Sequence, residues 1–169
     1  AFNFDGVDGR IVVANAANLN FGSNQNFSIE AWIQPEASVT FQDLMNIVDK
    51  RNAPDTAHGI GYEFALQGGQ VVFRLSDSLA DVGVAFGPAG PDLRDGLFHH
   101  VAVTLDRSST NGGNLYVDGT SVLIFDPTVE SGDLSNNEPL LIGAHPTPSV
   151  FALFKGTIDE LAIYNAGLT

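Results

Sequence analysis

The sequence contains no cysteine. Disulfides, thiolate nucleophiles and cysteine-ligated zinc are therefore excluded. Secreted eukaryotic modules of this size often carry a disulfide, so the lack of one points towards a bacterial source without excluding export. Basic residues are scarce as well. Seven Lys and Arg stand against twenty Asp and Glu, a formal net charge of −13. Such a chain repels phosphate backbones and anionic membranes, so nucleic acid is not expected as a partner, nor is insertion into a membrane. No apolar run is long enough to cross a bilayer as a helix. The opening residues, AFNFDGVDG, show no Met, no basic segment and no apolar h-region. That start suits a domain cut from a longer protein, or a mature chain. Tryptophan occurs once, at position 32.

What is present is β signal. The chain has 169 residues, 44% of them hydrophobic, enough for one domain (residues 1–169) with a real core. Short β-branched and aromatic runs alternate between Gly, Asn and Asp breaks. In FSIEAWIQP, Phe27, Ile29, Ala31 and Ile33 alternate with Ser28, Glu30, Trp32 and Gln34. In LFHHVAVTLDR, His99, Val101, Val103 and Leu105 alternate with His100, Ala102 and Thr104. Gly68-Gly69 and Asp118-Gly119 read as two-residue hairpin turns. PLLIGA and GTIDELAIYN close the chain as strands. EASVTFQDLMNIVDKR has weak helical spacing at Phe41, Leu44, Met45 and Val48, but its second half is expected to be a strand after a loop. ADVGVAFGPAG and VESGDLSNNEP read as connecting loops. About a dozen short strands without helices imply an all-β fold of two stacked antiparallel sheets.

The order of these motifs carries a resemblance. FNFDGVDGRIVV, FSIEAWIQP, LFHHVAVTLDR, LYVDGTSV, LLIGA and FKGTIDELAIYN follow one another from Phe2 to Leu168. The chain resembles the laminin-G-like branch of the concanavalin A-like lectin/glucanase superfamily. One departure is Phe98, where the family commonly has Trp before the His-His pair. The resemblance implies a jelly-roll sandwich with one concave and one convex sheet. It implies an extracellular module that binds glycan, protein or calcium, usually without chemistry of its own.

The residues give no catalytic constellation. A retaining glycosidase needs two carboxylates about 5 Å apart. The Glu-x-Asp-x-x-Glu strand motif of the superfamily's glucanases does not occur. Strict alternation places Asp159 and Glu160 on opposite faces, so they cannot act as a pair. Glu30 and Glu63 would converge only if their strands were neighbours. There is no G-x-S-x-G string and no zinc spacing around His58, His99, His100 or His145. His99 reads as a satisfied core histidine. His100, on the polar face, is the better functional candidate.

Alternation also groups Asp159 with Leu161 and Ile163, on the core side of the last strand. A carboxylate there costs several kcal/mol unless it meets backbone N–H groups, a cation or a metal. DGVDG and GSNQN are oxygen-rich turns of the kind calcium uses, and equally ordinary turn formers. The resemblance implies a structural calcium on the convex side. By motif it would take Asp159 and main-chain carbonyls near Asp5 and Gly22. Glu160 is then an ordinary outer-face residue.

The outward list of the remaining strands is Glu30, Trp32, Glu63, Arg74 and His100. Trp32, Glu63, Arg74 and His100 are the candidate ligand-binding residues, with Trp32 either a platform for a sugar ring or covered by a loop. The rim offers Asp77, Asp81, Asp92 and Asp95. Two functions follow: a noncatalytic extracellular module that recognises glycan or a protein partner, or a structural spacer in a large bacterial surface protein.

Overall fold

The structure, a computed structural model, describes residues 1–37, 44–52, 58–79, 82–147 and 152–168. Among them twelve strands form two six-stranded sheets, every pairing antiparallel. The strands are β1 (Phe2–Asp5), β2 (Ile11–Val13), β3 (Phe27–Pro35), β4 (Leu44–Asp49), β5 (Gly61–Gln67), β6 (Gln70–Ser76), β7 (Val84–Ala89), β8 (His99–Leu105), β9 (Gly113–Val117), β10 (Thr120–Phe125), β11 (Leu140–Ile142) and β12 (Lys155–Tyr164). The front sheet runs β1-β12-β3-β8-β9-β10 and the back sheet β2-β11-β4-β5-β6-β7. Among the described residues the helical content is two 3-10 turns, Ala17–Leu19 and Pro127–Glu130.

The alternating pattern sets the core. Phe27, Ile29, Ala31 and Ile33 of β3 face inward and are fully buried. They meet Tyr62, Phe64, Phe73 and Leu75 of the back sheet in one hydrophobic cluster. Burying each large apolar side chain contributes about 1.5–3 kcal/mol. Truncating Ile29 to Ala would cost about 2–5 kcal/mol, because the sandwich cannot collapse around the void. Gly68 and Gly69 join β5 to β6 with φ of 59° and 86°, the left-handed pair that a tight hairpin turn demands.

Two stretches differ from their sequence reading. ADVGVAFGPAG was expected as a loop, yet its residues 84–89 form β7, which pairs with β6. Gly and Pro are tolerated there because β7 is the outermost strand of its sheet. The second is β12, where alternation breaks. Ile158 pairs with Ile33 and Asp159 with Trp32, but Ala162 pairs with Glu30. Glu160 and Leu161 together oppose Ala31, forming a bulge. Glu160 takes φ of 47°, which lets the strand absorb the extra residue. MNIVDKR is a strand as expected, β4. Phe41 of the weak helical pattern lies outside the described residues.

Candidate functional site

The four candidate ligand residues divide between the two outer faces. Trp32 and His100 are register partners on neighbouring strands of the front sheet. Glu63 and Arg74 are register partners in the back sheet. Both pairs point away from the core, so they lie on opposite sides of the sandwich. Alternation identified the outward residues correctly but carries no information about which sheet a strand joins. For the same reason Glu30 and Glu63 do not converge, since β3 and β5 belong to different sheets.

The front face is open. Trp32 is 40% exposed and Phe98 45% exposed, so no loop covers the indole. Together with Asp159 and Glu160 they line a depression of about 270 Å³. A short chain of side chains supports Trp32 from one flank. Its ring meets the His100 imidazole at 5.4 Å between centroids, tilted by 57°. His100 Nε2 lies 3.3 Å from Glu30 Oε2. Glu30 Oε1 accepts a hydrogen bond of 2.7 Å from the Tyr164 hydroxyl. His99 points the other way, as adjacent strand residues must. Its Nδ1 is 2.8 Å from Asp118 Oδ2 and its Nε2 3.1 Å from Asp95 Oδ1. Burial pulls the His99 imidazole down, but the two carboxylates outweigh it and raise its pKa. It is a satisfied histidine, though a carboxylate-clamped one at the sheet end.

The β12 bulge overturns two expectations. Asp159 does not point into the core; its side chain is 40% exposed and shares the outer face with Trp32. Asp159 and Glu160 are not separated either, because both line the same depression. The bulge inserts one residue between them and the next paired position, so counting by twos fails there. In this chain Asp159 Oδ1 lies 2.9 Å from the Ala1 amino group and accepts a bond from Glu160 N. The amino group and that N–H hold the Asp159 carboxyl below its usual range. Phe98 was noted in the sequence only as a replacement for Trp. The signal that could have found the site is the pairing of an exposed aromatic with the acids of β12, and it required the register.

On the outer face of the back sheet the candidate residues are largely covered. Asp49, Arg51 and Glu63 are almost completely buried. Arg51 grips Asp49 at 2.7 Å and reaches Glu63 at 3.2 Å, while Arg74 meets Glu63 at 2.9 Å. Burial first, then the Asp49 carboxylate, push the Glu63 pKa from 4.5 up to about 7, against the pull of the two guanidinium groups. Glu63 and Arg74 thus belong to an internal charge cluster, out of reach of a ligand in this conformation.

The Asp5 side chain and the Gly22 carbonyl, from the two turns expected near calcium, have partners within the chain. Asp5 turns back on its own loop, Oδ1 accepting N–H bonds from Val7, Asp8 and Gly9. These bonds hold its carboxyl below the usual range. The Gly22 carbonyl accepts a 2.9 Å bond from Arg107 Nη1. Arg107 is fully buried, and its Nη2 donates to the Glu130 and Gly132 carbonyls. Of the carbonyls expected near calcium, that of Gly22 thus faces a guanidinium. Among the described residues no group of three or more His, Asp or Glu is placed to hold a metal ion. The rim acids are engaged as well: Asp77 accepts from Leu79 N and Gly132 N, Asp92 from Arg94, and Asp95 from Leu97 N and His99. Asp81 lies outside the described residues.

Residues 5–169 match the Laminin_G_3 family of the concanavalin A-like lectin/glucanases superfamily. The chain belongs to that family. A search of curated proteins finds no match. Among solved structures, the binding domain of Paraclostridial Mosquitocidal Protein 1 superposes with a TM-score of 0.76 at 16% identity, over 98% of this chain and 40% of that one. The ligand binding domain of botulinum neurotoxin serotype D, in complex with N-acetylneuraminic acid, gives 0.66 at 15%, over 95% and 37%. The CBM40 of Ruminococcus gnavus IT-sialidase, bound to α2,6 sialyllactose, gives 0.65 at 11%, over 95% and 94%. The chain thus spans about two fifths of the toxin domains and nearly all of the sialidase module. At these identities the likeness shows the fold: a concanavalin A-like all-β sandwich.

Proposed function

We propose that this chain is a noncatalytic carbohydrate-recognition module of an extracellular bacterial protein, and that its glycan lies on the Trp32–Phe98 platform. The observation that carries the reading is the convergence of two exposed aromatic rings and two exposed carboxylates in one depression. Ligand sites of this kind combine apolar surface with a few polar groups that fix orientation. An aromatic face covers the apolar side of a pyranose, and carboxylates accept its hydroxyl protons. Trp32 is held in place by His100, Glu30 and Tyr164, so ordering it costs little on binding. Two of the structural neighbours were solved with sialylated ligands, which supports carbohydrate binding as the use of this sandwich. The toxin and sialidase parentage of the neighbours, with the absence of cysteine, supports the extracellular bacterial setting.

The test is a glycan array followed by calorimetry on the hits, with Trp32→Ala beside the parent protein. Binding that falls at least tenfold in the variant supports the proposal. A parent protein that binds no glycan on a broad array sinks it and leaves the spacer reading.

A further inference from the structure

Building on the proposed glycan site, we infer that this module takes an uncharged sugar and discriminates against sialylated glycans. The inference rests on where the positive charge of the chain is spent. A sialic acid carboxylate is best met by a cationic or N–H-rich receptor, because charge-assisted hydrogen bonds are roughly twice as strong as neutral ones. The depression beside Trp32 contributes only Phe98, Asp159 and Glu160 around the indole. Glu30 stands one pair further along β3, behind His100. An anionic sugar placed on the indole would face the Glu160 carboxylate, with Asp159 offset by the Ala1 amino group and Glu30 beyond His100, on a chain with formal net charge −13.

The cationic side chains are committed elsewhere. Arg51 and Arg74 share Glu63, Arg94 grips Asp92 at 2.6 Å, and Lys155 faces Glu36 at 3.1 Å. Arg107 is buried on three carbonyls. Lys50 is buried too, its Nζ on Asn20 and Asn136. That accounts for six of the seven Lys and Arg. The seventh, Arg10, lines a different depression with Glu138 and His145. Among the described residues Arg10 makes no ion pair. The Ala1 amino group lies against Asp159 and is neutralised there. A carboxylate on the Trp32 platform therefore meets like charge, whereas the hydroxyl groups of a neutral pyranose find acceptors in Asp159 and Glu160.

The experiment measures binding of lactose and of neutral gluco-, manno- and xylo-oligosaccharides by calorimetry, beside 3′- and 6′-sialyllactose at matched concentration. The parent protein, Trp32→Ala, Glu160→Gln and Arg10→Ala are compared. We expect at least one neutral oligosaccharide to bind tenfold or more tightly than either sialyllactose. Its affinity should drop at least tenfold in Trp32→Ala and several-fold in Glu160→Gln, with Arg10→Ala unaffected. Unchanged melting temperatures for the variants show that the losses are not unfolding. Sialyllactose binding as tightly as the best neutral sugar, or depending on Arg10, overturns this inference while leaving carbohydrate recognition intact. Neutral binding that survives Trp32→Ala also overturns it, since the site is then elsewhere. A protein that binds none of these sugars, charged or neutral, overturns both readings.

Discussion

Asp159 stands directly across the strand pair from Trp32, and the register slips immediately after that pairing. The slip turns the acids of β12 into neighbours of the tryptophan. It depends on Glu160 holding φ at 47°, a conformation that costs ordinary L residues about 1–2 kcal/mol and β-branched ones more. Glu160→Val should therefore lower stability by about 1–3 kcal/mol, measured by urea unfolding. Glu160→Gly should cost much less, because glycine adopts this φ freely. Equal losses in the two variants would mean that the carboxylate, not the backbone, matters at this position.

The His100–Glu30–Tyr164 chain should act on Trp32 rather than on the fold. Its members are partly exposed, so each hydrogen bond contributes only about 0.5–1.5 kcal/mol. Glu30→Gln and Tyr164→Phe should leave the melting temperature within a few degrees of the parent. Both should shift the fluorescence of Trp32, which as the sole tryptophan reports on this site alone. They should also weaken glycan binding about three- to tenfold. An unchanged emission spectrum in both variants would show that the indole does not depend on this chain.

How far the sequence could be read follows from the same residues. Period-two alternation in β3 and β8 identified Phe27, Ile29, Val101 and Val103 as core and Trp32 and His100 as outward, because those strands run without interruption. The hairpin at Gly68-Gly69 was legible because its turn type demands those residues. The β12 bulge was not, since an inserted residue is set by pairing to β3 and leaves the pattern of DELAI unchanged. Nor could the sequence assign strands to sheets, which is why Glu63 and Arg74 were grouped with Trp32. The aromatic half of the site could thus be found by alternation, and its acidic half only from the register.

The buried cluster on the back sheet should make stability depend on pH. The Glu63 pKa is raised on folding, from 4.5 to about 7, so protonated Glu63 favours the folded state. Its contribution is fully present below pH 4.5 and is lost as pH rises through about 7. By the free energy of a pKa shift, that loss amounts to at most about 3 kcal/mol. His99, also raised, loses its contribution in the same direction above its ordinary value of 6.5. Unfolding free energies of the parent should fall between pH 5 and pH 8, with Glu63→Gln flattening the lower part and His99→Gln the upper. A parent curve that rises through this interval would contradict the assignment of both groups.

Arg107 is the last test, because it bears on whether a metal ion holds this sandwich together. Its guanidinium ties the Gly22 carbonyl to those of Glu130 and Gly132, joining the turn before β3 to the loop that follows β10. Removing it leaves the Glu130 and Gly132 carbonyls short of a donor and Gly22 with Gln25 N alone, and breaking such a buried charged network costs about 3–5 kcal/mol. Arg107→Met should lower the unfolding free energy by that amount, and Arg107→Lys by somewhat less, since a single ammonium cannot reproduce the planar fork. Because Arg107 occupies the Gly22 carbonyl and Asp159 faces outward, EDTA should leave the melting temperature of the parent unchanged, and added calcium should not raise it. A melting temperature several degrees higher in millimolar calcium, abolished in Asp159→Asn, would show instead that calcium binds through Asp159 and stabilises the sandwich.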